Sequence, residues 1–429
     1  MLSSVVLLAM IGWSKYLLIN NVTLPEIPEC NVGKDDRMQI TITVPATGPP
    51  RHFAVYWWGR LARDDDRAVF FDYDPTSQTE RPLDVVRPAL SPNVFVSRLK
   101  LSSFQDVGYT PKCLMWAKYI GGGGQEDSRT CLQTQPNWME VNRQHLSVLP
   151  LNKLFIPGTH NSGSIVTNAT QKGIVWNYIM TQDLSILQQL LMGIRYLDLR
   201  IGYYTGDHRE KFWVVHSVFK TATTLRTVLE QVREFMERTN EVVVLDFHRF
   251  PVGFEDHHVH YALWDFVLQV VGPEKMTPAY LTEHVQLGTL WSLNKRLVVC
   301  YNSKARPRHP LLWPGVLHRW ADARTGTELY HFLEGTLSEP IERLWAATAA
   351  LTPTYKSALL SPRTGLRDLA DSVAYNLSQW YRDRWWHSAN IVATDFFLST
   401  AIVDTSILAN IWRSYCPERY RWRDAEESS

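Results

Sequence analysis

From Pro25 to Pro136 the apolar positions fall in short runs with the period of a β-strand. Met38–Gln39–Ile40–Thr41–Ile42–Thr43–Val44 alternates residue by residue, while Phe53–Ala54–Val55–Tyr56–Trp57–Trp58 and Ala68–Val69–Phe70–Phe71 are rich in β-branched and aromatic side chains. Asn93–Val94–Phe95–Val96 and the run from Lys112 to Tyr119 follow, at intervals set by Pro, Gly and Asp turns. Short strands with regular turns and no helical periodicity predict an all-β sandwich over residues 23–137. It holds no catalytic constellation, so it reads as a binding or orienting module.

Past Trp138 the pattern changes to strands alternating with helices. Ile194–Leu199, Phe212–Val215, Glu241–Asp246, Arg296–Tyr301 and Asn390–Asp395 are apolar runs of strand length. Between the second and third, Leu225, Val228, Leu229, Val232, Phe235 and Met236 repeat at helical spacing, with Thr221 or Thr223 as the predicted N-cap. Further helices are predicted over Gly365–Arg384 and Ile402–Trp412. Repeated strand–helix units predict an α/β fold over 138–429, a parallel sheet closed into a distorted TIM-like (β/α) barrel.

In such a barrel the chemistry sits where the strands end. The run Leu154–Phe155–Ile156 breaks at Pro157–Gly158 and presents His160 just beyond. Asp198 with Arg200, His216, Asp246 with His248, and Asp395 close the other apolar runs. Five strands ending this way define a constellation at one mouth.

Composition narrows the class. The 429 residues are 45% hydrophobic and 20% charged, as in an ordinary globular protein with a sizeable core. With 44 basic and 43 acidic side chains and no concentrated basic patch, nothing draws nucleic acid. The five cysteines form no metal-like spacing. Cys113 and Cys131 flank Gly121–Gly124, and a hairpin turning there sets them opposite each other, bridged in an oxidising compartment and two buried thiols otherwise. Residues 1–22 contain the apolar run Leu2–Trp13, of signal-peptide length and too short to span a bilayer. It reads as a signal peptide, an uncleaved anchor or a first buried strand. With the sequons at Asn21, Asn168 and Asn376, it is compatible with a secreted or lumenal protein; a cytoplasmic protein peripheral to membranes is the alternative.

Two histidines, an arginine and carboxylates without cysteine suit phosphoryl chemistry with no obligatory metal. One neutral imidazole takes a proton from a nucleophilic hydroxyl and a second, protonated, gives one to the leaving oxygen. An aspartate beside the base fixes its tautomer. Arginine's planar fork matches the phosphate oxygens. Asp198 and Arg200 can equally form a structural ion pair, and Asp246 and His248 can be packing groups rather than direct participants.

Leu154–Phe155–Ile156–Pro157–Gly158–Thr159–His160–Asn161–Ser162, Thr181–Gln182–Asp183, Gly193 to Arg200, Val214–Val215–His216 and Glu241 to Phe247 together resemble the X domain of phosphatidylinositol-specific phospholipase C. The likeness is greatest to the stand-alone X-domain-containing proteins of animals. Leu312–Trp313–Pro314–Gly315–Val316, Ser378–Gln379–Trp380 and Asn390 to Phe396 extend it, so it covers about Trp138 to Cys416. The resemblance implies cleavage of an inositol phospholipid between glycerol and phosphate, yielding diacylglycerol and a cyclic inositol phosphate. It implies His160 as general base, His216 as general acid, Asp395 as the residue orienting the base, Arg200 as the phosphate ligand and Asp198 as its acidic companion. Asn161, Asp246 and His248 are the expected substrate-binding residues. The calcium-dependent members carry a carboxylate where Arg200 stands, so the resemblance implies no metal and no cofactor. It implies a phospholipid at a membrane surface as the partner, with no protein partner indicated. Asn161 departs from the aspartate of bacterial members, which leaves a second reading, a lipid-binding protein without turnover. A third is a metal-dependent glycerophosphodiesterase, which needs carboxylates where Arg200 sits.

Overall fold

The computed structural model describes residues 17–19, 22–24, 40–44, 51–76, 81–88, 93–100, 107–165, 174–206, 209–339, 341–353 and 365–415. The apolar run Leu2–Trp13, Cys30, Cys416 and the sequon asparagines Asn21 and Asn168 lie outside them. A short antiparallel pair, β1 (Leu17–Ile19) and β2 (Val22–Leu24), comes first.

The next strands are β3 (Ile40–Thr43), β4 (His52–Trp57), β5 (Arg67–Phe71), β6 (Asp84–Val86), β7 (Val94–Lys100), β8 (Cys113–Ile120) and β9 (Glu126–Gln133). They form two antiparallel sheets, ordered β3–β4–β7 and β6–β5–β8–β9. Phe53, Val55 and Trp57 of β4 meet Ala68, Phe70, Ala117 and Tyr119 of the other sheet, giving the expected sandwich. The other face of β4 is also buried: Ala54, Tyr56 and the following Trp58 pack into a cluster with barrel residues. That double burial explains why β4 is apolar at every position instead of alternating. Cys113 and Cys131 are joined by a disulfide across the β8–β9 hairpin. They are not opposite each other, however: Cys131 faces Trp116 and Cys113 faces Gln133, with a register irregularity after Cys113 bringing the sulfurs together.

The barrel strands are β10 (Ile156–Thr159), β11 (Tyr196–Tyr203), then β12 (Phe212–His216) and β13 (Phe219–Thr224) as a hairpin, β14 (Val243–Val252), β15 (Leu297–Tyr301), β16 (Leu312–Pro314), β17 (Leu317–Trp320), β18 (Trp345–Thr348) and β19 (Ile391–Thr394). Apart from the hairpin they are parallel, in the order β16–β15–β14–β11–β10–β19–β18–β17. Tyr196 on β11 and His318 on β17 stand four places apart in that order, yet the tyrosine hydroxyl lies 2.9 Å from His318 Nε2. The sheet is therefore rolled. Its two ends, β16 and β17, share no ladder bonds among the described residues, so closure is incomplete at that seam.

The helices that cover the outside include Leu225–Arg238, His257–Val271, Gly326–Leu337, Leu366–Trp380 and Ile402–Tyr415. The first buries the apolar stripe read from its spacing, but neither Thr221 nor Thr223 caps it. Those residues belong to β13, and Thr224 is the cap, its side chain accepting from the Thr227 backbone N–H. Gly365–Arg384 is helical to Trp380 and continues as a π turn over Tyr381–Trp385. Strands β16, β17 and β18, three or four residues each, are too short to show a period in the sequence.

Sandwich and barrel are not separate bodies of apolar packing. The Val44 N–H donates to the Leu398 carbonyl at 2.8 Å, and the Tyr56 hydroxyl to the Ser399 carbonyl at 2.8 Å. Trp58 stacks on Tyr375, ring centres 5.0 Å apart, and Arg51 pairs with Asp183 at 3.0 Å.

Candidate active site

Strands β10 and β19 run parallel with Thr159 beside Thr394, so the residues that follow each strand emerge together. These are His160 and Asp395. The His160 backbone N–H donates to the Thr394 carbonyl at 3.0 Å, and its Nδ1 lies 2.8 Å from Asp395 Oδ1. A carboxylate accepts there, which puts the proton on Nδ1 and the lone pair on Nε2, the tautomer of a general base. Gln182 fixes both loops, its amide donating to the carbonyls of His160 (3.1 Å) and Thr394 (2.9 Å). Thr181 donates to the Asn161 carbonyl, and its own carbonyl accepts from the Phe396 N–H. Asp183 is held by Arg367 and Arg51. The Thr181–Gln182–Asp183 segment is thus the brace between the two loops.

Asp198 and Arg200 lie two residues apart on β11 and so face the same side. Arg200 Nη2 is 3.3 Å from Asp198 Oδ2 and 2.6 Å from His160 Nε2. Burial alone pushes the Asp198 carboxyl up, but Arg200 and the surrounding imidazoles hold it well below the ordinary carboxylate range. Its Oδ2 also accepts from the Asn161 backbone N–H at 2.9 Å. Asn161 has φ 42°, is fully buried, and leaves both polar atoms of its side-chain amide without a partner. The left-handed, buried amide beside His160 thus has hydrogen-bonding capacity that no protein group uses.

His216 ends β12, on a hairpin extending from β11 rather than on a barrel strand as the sequence pattern predicts. Its Nδ1 donates to the Ile179 carbonyl at 2.5 Å, leaving Nε2 for proton exchange. Burial pulls it down to about 4; Ile179 and Asp395 oppose that, while His160 and Arg200 reinforce it. The charges of His160, Arg200 and Asp395 therefore act on it directly, and the hairpin brings it to the same mouth.

Asp246 and His248 are not at a strand end. Strand β14 runs on to Val252, so they sit in the barrel interior, both buried. The residue that completes their cluster, His318 on β17, escapes the sequence pattern: Leu317–His318–Arg319–Trp320 carries no alternation to mark it as a strand. His318 Nε2 is 2.8 Å from Asp246 Oδ2, and the Tyr196 hydroxyl donates to the same oxygen at 2.9 Å. The rings of His248 and His318 stack at 3.4 Å, and burial pulls His248 down to about 2.

Beside Asn161 and Asp198, Arg200 stands where the resemblance puts a carboxylate in the calcium-dependent members. Its guanidinium is placed against Asp198, and Ca²⁺ takes oxygen donors in number.

The rolled parallel sheet with its covering helices defines the class, a TIM-like barrel of the phosphatidylinositol-specific phospholipase C fold. The phosphatidylinositol-specific phospholipase C of Staphylococcus aureus superposes with a TM-score of 0.50 at 13% identity, covering 64% of this chain and 97% of that one, a likeness of fold. No protein-family profile matches the chain. Human PI-PLC X domain-containing protein 2 is 30% identical over 270 residues, 57% of this chain and 86% of that protein. The mouse PI-PLC X domain-containing protein 3 is 28% identical over 300 residues, 62% of this chain and 92% of that one. The chain belongs to the family of PI-PLC X domain-containing proteins.

Proposed function

We propose that the chain cleaves inositol phospholipids at a membrane surface without a metal, releasing diacylglycerol and a cyclic inositol phosphate. The observation that carries the reading is His160 held between Asp395 and Arg200, in a tautomer with its lone pair on the Arg200 side. His160 Nε2 takes the proton of the inositol 2-hydroxyl as that oxygen attacks phosphorus. Asp395 supports the imidazolium that forms. Arg200, backed by Asp198, leaves Nε2 for the non-bridging phosphate oxygens, where charge grows in the transition state. The bond from phosphorus to the glycerol oxygen breaks, and His216 gives that oxygen its proton. The anionic phosphate beside His216 raises its proton affinity from the low value of the free site, so substrate charges the acid it needs. Asn161, with its unpartnered amide, takes a ligand oxygen. Asp246 and His248 are buried against His318 and are given no part in these steps.

The membrane-facing element is the β12–β13 turn, where Val218 is 64% and Phe219 48% exposed next to His216. No helix among the described residues is long and apolar enough to cross a membrane. A secreted or lumenal setting is supported by the Cys113–Cys131 disulfide. A second reading, lipid binding without turnover, is favoured by one observation, a general acid that is neutral in the free site near pH 7.

The test is turnover of phosphatidylinositol vesicles in excess chelator. Wild type should release soluble inositol phosphate, and His160→Ala or His216→Ala should each lower the rate by about a hundredfold or more. Vesicle binding with no product, chelator or none, leaves the binding reading in its place.

A further inference from the structure

We propose that Asp246, His248 and His318 bind one divalent transition-metal ion that ties β14 to β17 across the open seam of the barrel. One ligand atom from each side chain lies within 4.8 Å of the other two. Each shows an unmet valence or a loose contact. Asp246 is fully buried, and its Oδ1 has no partner. The ring nitrogens of His248 have only two 3.4 Å contacts, to Asn302 and Arg249, which are long for hydrogen bonds. His318 Nε2 already points at the carboxylate. The two imidazoles stack with 15° between their planes, so their nitrogens stand side by side with parallel lone pairs, and ion binding has to unstack the rings and turn them toward each other by tens of degrees.

The donor set names the class of ion. Two imidazoles and one carboxylate suit Zn²⁺ or Co²⁺, whereas Ca²⁺ and Mg²⁺ prefer oxygen throughout. The Tyr196 hydroxyl, 2.9 Å from both Asp246 and His318, is the polar group that stands next to the three ligands. The place in the fold gives the ion a use. β17 forms one edge of the interrupted sheet and β14 lies two strands in from the other edge, β16, so an ion here links the two flanks of the seam from inside the barrel. Neither His160 nor His216 belongs to this site, and the ion takes no part in the proposed phosphodiester cleavage.

The experiment titrates tag-free, chelator-stripped protein with Co²⁺, following visible d–d absorption and the thermal midpoint. One Co²⁺ per chain is expected, with the midpoint rising by roughly 5 °C at a hundredfold excess over Kd. His318→Gln keeps an amide that can bond Asp246 and Tyr196, so it should fold while losing both signals; His160→Ala should keep both. Absence of saturable binding in the wild type overturns the proposal, as does binding untouched by His318→Gln. Loss of binding in His160→Ala overturns it too, by moving the ion to the reaction centre. Because no readout depends on turnover, failure here leaves the phosphodiesterase reading standing.

Discussion

Arg200 occupies the lone pair of His160: its Nη2 donates to Nε2 at 2.6 Å, the atom that a general base must use. The free site is therefore self-blocked. A phosphate that draws the guanidinium away frees the base in the same movement, so binding and activation are one event. Asp198, 3.3 Å from Arg200, is the other end of that tether.

Replacing Arg200 separates these roles. Arg200→Ala unblocks His160 but removes the phosphate ligand, and kcat/KM on a soluble inositol phosphodiester should fall by about a hundredfold or more. Arg200→Lys should recover only a small part, because an ammonium lacks the two-pronged geometry. Steady-state kinetics decides it, and a lysine variant at wild-type efficiency would sink the phosphate role.

The low affinity of His216 for protons fixes the sign of the pH dependence. The proposed mechanism needs His216 protonated and His160 neutral. With His216 at about 4, the fraction of free enzyme carrying the proton of the acid falls tenfold per unit as pH rises above about 4, so His216 places its limb of kcat/KM near that pH. In the substrate complex the phosphate charge raises His216, so the same limb in kcat lies at higher pH. His160, Arg200 and Asp395 are the charged groups that act on it. Paired kcat and kcat/KM profiles check this, and a limb unchanged by His216→Ala would count against His216 as the acid.

The sequence marked His160 and Asp395 because each directly follows a short apolar strand, and it marked the strand of Asp198 and Arg200 but not their place within it, since β11 continues to Tyr203 instead of ending there. It carried the sandwich through the alternation before Val44. It was silent where function rests on register or on short strands. His318 lies on a four-residue strand whose first three residues are half-buried and whose last, Trp320, is exposed, and nothing in its neighbours marks it. Asp246 lies deeper than its apolar run suggests, because β14 continues to Val252. Gln182 shows no period at all, since its role comes from two carbonyls distant in sequence.

The β12–β13 turn supplies the membrane test. Ser217 takes φ 55° to make the turn, which leaves Val218 and Phe219 exposed beside His216, the proposed general acid. Burying these two side chains in lipid is worth about 2–3 kcal/mol. Val218→Asp with Phe219→Asp should therefore lower turnover on vesicles at limiting lipid by tenfold or more and leave turnover of a soluble phosphodiester unchanged. Equal loss on both substrates would show that the turn shapes the site instead of docking it.

The sandwich steadies the loop that carries Asp395. Three of its bonds reach the segment just after that residue: Val44 N–H to the Leu398 carbonyl, Tyr56 hydroxyl to the Ser399 carbonyl, and Thr41 hydroxyl to Asp404. Asp395 in turn sets the orientation of His160, so a loosened loop misplaces the base without touching the phosphate ligands. Tyr56 is fully enclosed, and Tyr56→Phe removes its bond while keeping the ring against Tyr375, which lies edge-on with centres 5.3 Å apart. The cost to stability should be about 1–2 kcal/mol, the range for a buried hydrogen bond that loses one partner. The telling measurement is the split of the kinetic constants. A steadying role lowers kcat several-fold with KM unchanged, because ground-state contacts with the phosphate survive. A purely structural role lowers the thermal midpoint and leaves kcat of the folded protein as it was.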